Sequence, residues 1–333
     1  MSRNSFAVAM TYCGAVIGAG FATGREVVDF FTAFGPGGLI GVALAAVMFS
    51  WVGVVILDVT HSHPVYSYID LLHVVLPWKW VVGLADLMFM ATLWTGVGVM
   101  AAAGGTVLKG WGIPLMPGCA VFLAFCLLLL RTGGTGFVKA NCVLVPALAA
   151  AIVILCLLEI SVPTANQYLD HPLSSALLYV SFNIAIAGVA LSTLKDRLDE
   201  QGLIWSGISG GLLIGLLLLV IYRATGGVMN YEIPLLRLAE IWFGKWQWIY
   251  AFALLAAVLT TALANLHGFA SRAAGGKKYW PSLIGTASGG FVLAQRGFAS
   301  LVAILYPLMG LCNIVLLAGL CYYSLSKIFR KRN

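Results

Sequence analysis

Four glycines, Gly14, Gly18, Gly20 and Gly24, fall within eleven residues of one apolar run. They form two GxxxG pairs, a spacing that lets helices pack closely. Gly18-Ala19-Gly20 asks for more than packing. Each glycine costs a helix about 1 kcal/mol relative to alanine, and the pair leaves no side chain between the backbone amides and whatever lies alongside. An unwound stretch here frees N–H and C=O groups, which persist at membrane depth only when buried in protein or lining a polar cavity. Thr260 and Thr261 are adjacent hydroxyls in a second apolar run, and Asn265 follows Thr261 by four residues on the same helical face. Either each threonine bonds back to a carbonyl of its own turn, or both join freed carbonyls as the neutral oxygens that a hard monovalent cation such as Na+ takes. A third polar residue in mid-run is Asn183, inside Tyr179-Val-Ser-Phe-Asn-Ile-Ala-Ile-Ala-Gly188.

Charged residues inside apolar runs are costly and face a cavity or one another. Arg25, Glu26 and Asp29 follow the first glycine cluster. They read either as a salt-bridge cluster at a helix end or as an outer gate. Lys139 opens another run, where an ammonium offers proton coupling in place of sodium, against the plainer reading of a solvated lysine. His267 reads as a structural or minor gate residue. The seven cysteines show no paired spacing, and His61 and His63 form only an HxH. Without a nucleophile–base or metal constellation an enzyme is not expected, nor any organic cofactor, and without a phosphate-binding loop neither is ATP-driven transport by this chain alone.

The elements that must carry these residues follow from composition. Of 333 residues, 61% are hydrophobic and 9% charged, far from the balance of a soluble domain. Such a chain cannot hide its apolar surface in a water-soluble core, so an integral membrane protein is expected. Apolar runs give ten spans of about 20 residues or more: 5–33, 37–59, 80–107, 114–131, 136–160, 174–194, 203–224, 246–271, 281–296 and 298–327. Residues 64–77 and 231–243 predict short amphipathic helices on opposite faces. With the N-terminus placed in the cytoplasm, thirteen of the nineteen Lys and Arg fall on the cytoplasmic side, which predicts both termini inside. The net charge of +7 is then a topology signal and not a nucleic-acid one.

The first and sixth spans are weakly alike, Val16-Ile-Gly-Ala-Gly20 against Ile184-Ala-Ile-Ala-Gly188. Each is expected to be a broken helix. An odd number of spans per half makes the second half inverted, so residues 1–161 and 174–328 read as inverted repeats of one membrane domain. Interrupted spans at matching places point to a transporter's central site.

Gly14-Ala-Val-Ile-Gly-Ala-Gly20 resembles the broken first helix of the amino acid–polyamine–organocation and neurotransmitter:sodium symporter group. Ala257-Val-Leu-Thr-Thr261 resembles that group's eighth-helix sodium motif. The phrase GAVIGAGFATGREVVDFF most resembles the YkvI-like branch. The resemblance implies the five-plus-five leucine transporter-like fold, all-α, with only its ten-helix core. It implies a Na+ site at the Gly14, Ile17 and Ala257 carbonyls and the Thr260 and Thr261 hydroxyls. The amides of Gly18, Ala19 and Gly20 would face a substrate carboxylate, and Phe182, Asn183 and Ile186 would wall the pocket. Phe21, where the family has an asparagine, and Thr92, where many members place a carboxylate-binding tyrosine, would also bind the substrate. The function expected is sodium-coupled symport of a small amino-acid-like or amine-like solute across the inner membrane of a prokaryote, with lipid as the surrounding partner. The alternatives are a proton-coupled carrier or exchanger using Lys139, and a receptor or sensor that keeps the fold without transport.

Overall fold

A computed structural model describes residues 3–131, 135–159, 171–192, 194, 200–274 and 278–332, with side chains except at 3, 135–146, 200, 328 and 330–332. The side chain of Lys139 therefore lies outside the described residues. No strand occurs among those described.

The first apolar run is not one helix. It is α1 (Arg3–Val16), α2 (Ala19–Thr23) and α3 (Arg25–Phe30). Gly18 is extended, at φ −94° and ψ −166°. Its N–H bonds the Val16 carbonyl at 2.9 Å instead of the Gly14 carbonyl four residues back. The expected break is therefore present. A second break at Gly24 was not expected: it sits in the left-handed region at φ 75°, where a side chain is strained.

The remaining helices are α4 (Gly38–Ser62), α5 (Tyr68–Val75), α6 (Lys79–Lys109), α7 (Leu115–Arg131), α8 (Thr135–Leu158), α9 (Pro172–Ser192), α10 (Glu200–Ala224), α11 (Pro234–Phe243), α12 (Gln247–Ala273), α13 (Tyr279–Ala294) and α14 (Phe298–Arg332). Among the described residues six stretches, falling on α4, α6, α9, α10, α12 and α14, are long and apolar enough to cross a bilayer. The two short helices expected between spans are α5 and α11.

The sixth run departs from expectation. α9 is one uninterrupted helix through Asn183 and Gly188 to Ser192. A lone glycine among Ile and Ala is tolerated in a helix, and the Asn183 amide donates to the Tyr179 carbonyl one turn back at 2.9 Å, inside its own helix.

Small residues set how closely the helices approach, as expected where dispersion drives helix association. On α10, Gly207, Gly211 and Gly215 recur every four residues. A Cβ at each would collide with Val54, Ser50 and Ala46 of α4 in turn, so the two helices run antiparallel along a glycine seam. α6 meets α13 through Gly98 and Gly290, and α7 through Gly105 and Gly118. Two groups result. α1, α4, α9 and α10 pack together, while α6, α7, α12 and α13 form the other group, with α8 and α14 alongside. Exposed tryptophans mark both ends: Trp78, Trp80, Trp205 and Trp280 at one, Trp111, Trp242, Trp246 and Trp248 at the other.

Candidate functional site

The α1 break lies between the two helix groups and opens onto a cavity of about 630 Å³. Gly14, Ile17, Gly18, Ala19, Gly20 and Glu26 line it from the broken run. Thr92 lines it from α6, Phe182, Asn183 and Ile186 from α9, and Ala257, Thr260 and Thr261 from α12. Fold and site thus meet: residues spread over some 250 positions of sequence reach one chamber because it lies between the two helix groups. Tyr68, His267, Ser271 and Arg272 carry the lining to the end of the bundle where α12 finishes.

The opposite end is closed by polar stitches. The Tyr250 hydroxyl donates to the Ala22 carbonyl at 2.6 Å, Ser175 to Phe30 at 2.8 Å, and Tyr222 to Gly35 at 2.7 Å. Arg25 pairs with Asp29 at 2.5 Å, both side chains mostly buried. Its guanidinium also donates to the Met229 carbonyl at 3.0 Å and the Tyr231 carbonyl at 3.2 Å, the approach to α11. Leu235 of α11 then packs its Cγ 2.7 Å from where a Cβ on Gly24 would stand.

Several expected residues change place. Phe21 does not line the cavity. Its ring is buried, with its centroid 6.4 Å from that of Tyr179, because α2 turns it into the core. Glu26 leaves the expected gate. Arg25 and Asp29 are four apart and share a helix face, whereas Glu26 is turned about 100° from Arg25. Its carboxylate is buried, lines the cavity and accepts from the Tyr179 hydroxyl at 3.4 Å. It also fills the space over Gly20, where any Cβ would overlap it. The Gly20 side of the break is thus covered by a carboxylate of the protein itself, not open to one from a substrate. Beside Gly18 the space is open, with nothing within 4 Å of an added Cβ.

The oxygens around Ala257 form a cluster. Thr260 Oγ1 donates to its carbonyl at 2.7 Å and Thr261 Oγ1 at 3.1 Å. Across the chamber the Gly14 carbonyl has lost its helical donor. Gly14 and the Ala257 cluster both line the chamber, which puts neutral oxygens on its α12 wall and at the break.

Some lining residues went unread in the sequence. Tyr306 stacks on Phe182 at 4.3 Å between centroids, and Tyr68 packs on Phe89 at 4.7 Å. A tyrosine directly before Pro307 in an apolar run was the available signal for the first. Thr92 Oγ1 bonds the Met88 carbonyl at 3.0 Å, inside its own helix. His267 contacts the Tyr279 hydroxyl at 2.9 Å at the chamber mouth.

No protein-family model matches the chain. It is similar to the uncharacterised membrane protein YkvI of Bacillus subtilis (strain 168), 24% identical over 331 residues and covering 94% of each chain. It is equally similar to the uncharacterised protein YyaD of the same strain, 24% identical over 327 residues, with 94% of each covered. Among solved structures it is similar to mutant forms of a manganese transporter of Eremococcus coleocola. One gives a TM-score of 0.49 at 15% identity, with 96% of this chain and 72% of that one covered. A second gives 0.46 at 16% identity over the same shares. With six helices among the described residues fit to cross a bilayer and a relative described as a membrane protein, the chain is an integral membrane protein.

Proposed function

We propose that the chain is a secondary active transporter of a small organic solute, sodium-coupled and working by alternating access. One observation carries this: a solute-sized chamber at a helix break, lined from both helix groups, open toward one end of the bundle and stitched shut at the other. A carrier needs that asymmetry, because its two groups must rock about a fixed site.

The packing supports a ten-span, five-plus-five reading with halves 1–161 and 174–328. Shifting each span by five maps one contact onto another. α1 on α10 answers α9 on α4, α6 on α7 answers α12 on α13, and α8 on α12 answers α14 on α6. The short helices correspond too. Leu235 of α11 lies against Gly24 in the first span, and Leu71 of α5 against Gly188 in the sixth. The sodium would be held by the Gly14, Ile17 and Ala257 carbonyls with the Thr260 and Thr261 hydroxyls. The open end is then the cytoplasmic one, by the bias of Lys and Arg, in the inner membrane of a prokaryote.

Reconstitution tests the proposal. Amino acids, amines and small acids are screened for a thermal shift with and without Na+, and a hit is loaded into proteoliposomes. Uptake that rises with an inward Na+ gradient, and counterflow of labelled solute, are expected. Binding without exchange would mean a sensor on this scaffold, and indifference to Na+ would remove the ion from the reading.

A further inference from the structure

We propose that the chamber takes an uncharged solute bearing N–H or O–H donors, such as a primary amide, with the Asn265 side chain as its hydrogen-bonding anchor. The inference rests on the chamber being the substrate site of a carrier. It sets aside the amino-acid-like or amine-like solute expected from the sequence. Asn265 lies one turn beyond Thr261 on α12 and lines the chamber. Its amide stands over Gly96 of α6, where an added Cβ would collide with it. The missing side chain of Gly96 thus makes room for a polar group inside a mostly apolar chamber. Among the described residues that amide finds no hydrogen-bond partner, and it is half-buried. It therefore offers the chamber both an acceptor and a donor.

Other polar side chains of the lining present lone pairs. The hydroxyl hydrogens of Thr92, Thr95, Thr260 and Thr261 are spent on carbonyls of their own helices. The Asn183 amide donates to the Tyr179 carbonyl and keeps its oxygen. Such walls pair with the N–H and O–H groups of a solute. No full charge among the described lining stands free to hold an ionic one. Glu26 is 5% exposed, and its hydrogen-bond partner is the neutral Tyr179 hydroxyl at 3.4 Å. A carboxyl so buried sheds its charge by keeping a proton. Arg272, at the mouth, is paired with Asp86 at 2.5 Å. An ammonium would add a second cation to the space assigned to sodium, with no anion to compensate it. A carboxylate would face lone pairs on the walls, and at the break Glu26 covers Gly20. An uncharged donor meets neither cost, and the apolar lining receives its hydrocarbon body.

The purified full chain in detergent is titrated with primary amides from propanamide to hexanamide, in NaCl and in KCl. The n-carboxylates, n-alkylammonium ions and α-amino acids of matching chain length are titrated beside them. The unfolding midpoint is followed. At least one amide should raise the midpoint at concentrations where its three charged counterparts do not. Asn265→Leu, close in volume but without hydrogen-bonding groups, should weaken that amide by about fivefold or more, the range for leaving a polar group unpaired. Asn265→Ser, which keeps a donor and an acceptor, should retain part of the affinity. The wild-type ladder decides the charge preference even where Asn265→Leu is not recovered folded. The proposal is overturned if no amide stabilises, or if a carboxylate, ammonium or amino acid stabilises as well in either salt. It is overturned too if Asn265→Leu weakens the amide by less than about fivefold. Counterflow with the stabilising amide separates the two readings. Binding without exchange keeps the preference for an uncharged solute and sinks the carrier, and exchange of a charged counterpart instead does the reverse.

Discussion

The carboxylate of Glu26 occupies the space that the missing side chain of Gly20 leaves open. Gly18, two residues earlier, faces open chamber with nothing within 4 Å of an added Cβ. The two glycines of the break therefore serve different ends. One makes room for a protein carboxylate, and the other keeps backbone accessible to the chamber.

Replacing each with alanine should separate these roles. Gly20→Ala forces Glu26 out of a packed site, so a loss of about 1–3 kcal/mol is expected. Gly18→Ala meets no atom and should change stability by less than about 1 kcal/mol. Thermal unfolding of the two variants side by side checks the order, and equal losses would contradict the packing described.

Gly24 is held by its backbone rather than by space alone. At φ 75° an L side chain costs roughly 1–2 kcal/mol, and Leu235 leaves no room for one. Gly24→Val should therefore destabilise more than Leu235→Ala. Denaturant unfolding of both variants measures the difference.

Closure beyond the break depends on Arg25. Arg25→Ala removes the Asp29 pair and two bonds to the chain before α11. A mostly buried Asp29 left without its partner should cost about 3 kcal/mol or more. Hydrogen exchange should quicken in α2 and α3 while the α4–α10 seam stays protected. Uniform protection across both would show that the stitch does not hold this end.

The sodium reading is tested at Thr260 and Thr261. The double alanine variant removes two of the cluster's oxygens and should abolish Na+-dependent stabilisation and uptake. Each single variant should leave a weakened dependence. Retention of full sodium dependence by the double variant would mean the ion sits elsewhere.

α5 opens on a capping box. The Ser67 hydroxyl accepts from the Asp70 amide at 3.3 Å, and Asp70 accepts from the Ser67 hydroxyl at 2.9 Å and the Tyr66 amide at 3.1 Å. The Ser67 hydroxyl and then the Tyr66 amide hold the Asp70 carboxyl below its ordinary range. A lowered carboxyl stabilises above its unfolded-state value and loses that contribution as pH falls through the folded one. Amide protection of residues 68–75, corrected for intrinsic exchange, should therefore drop between neutral pH and about pH 3. Ser67→Ala should lower it at neutral pH, by about 1 kcal/mol for a lost cap.

Much of this was legible in the chain. Long apolar runs located the helices to within a few residues, because membrane depth leaves a backbone little choice but to bond internally. Gly18-Ala19-Gly20 marked the first break, because two missing side chains weaken a helix whatever surrounds it. The same logic overreached at Gly188. One glycine among alanines and isoleucines does not break a helix, and α9 runs straight through. The pairing of Arg25 with Asp29 was readable from their spacing of four. That Glu26 lies off that face was readable too.

The direction in which Glu26 points was not. Local geometry turns it away from Arg25, but only the approach of α9, with Tyr179 and Phe182, makes that direction a chamber rather than lipid. Phe21 shows the converse. It is a neighbour of the break in sequence, yet it is buried against Tyr179 and has no part in the chamber. By itself the sequence determined an integral membrane chain of helices, a break at Gly18 and the polar residues available to a site. Those follow from composition and local backbone cost, which act over a few residues. Tertiary structure alone decided which of those residues share one space and which are turned away from it. Helices hundreds of positions apart must dock before any side chain is inside or out.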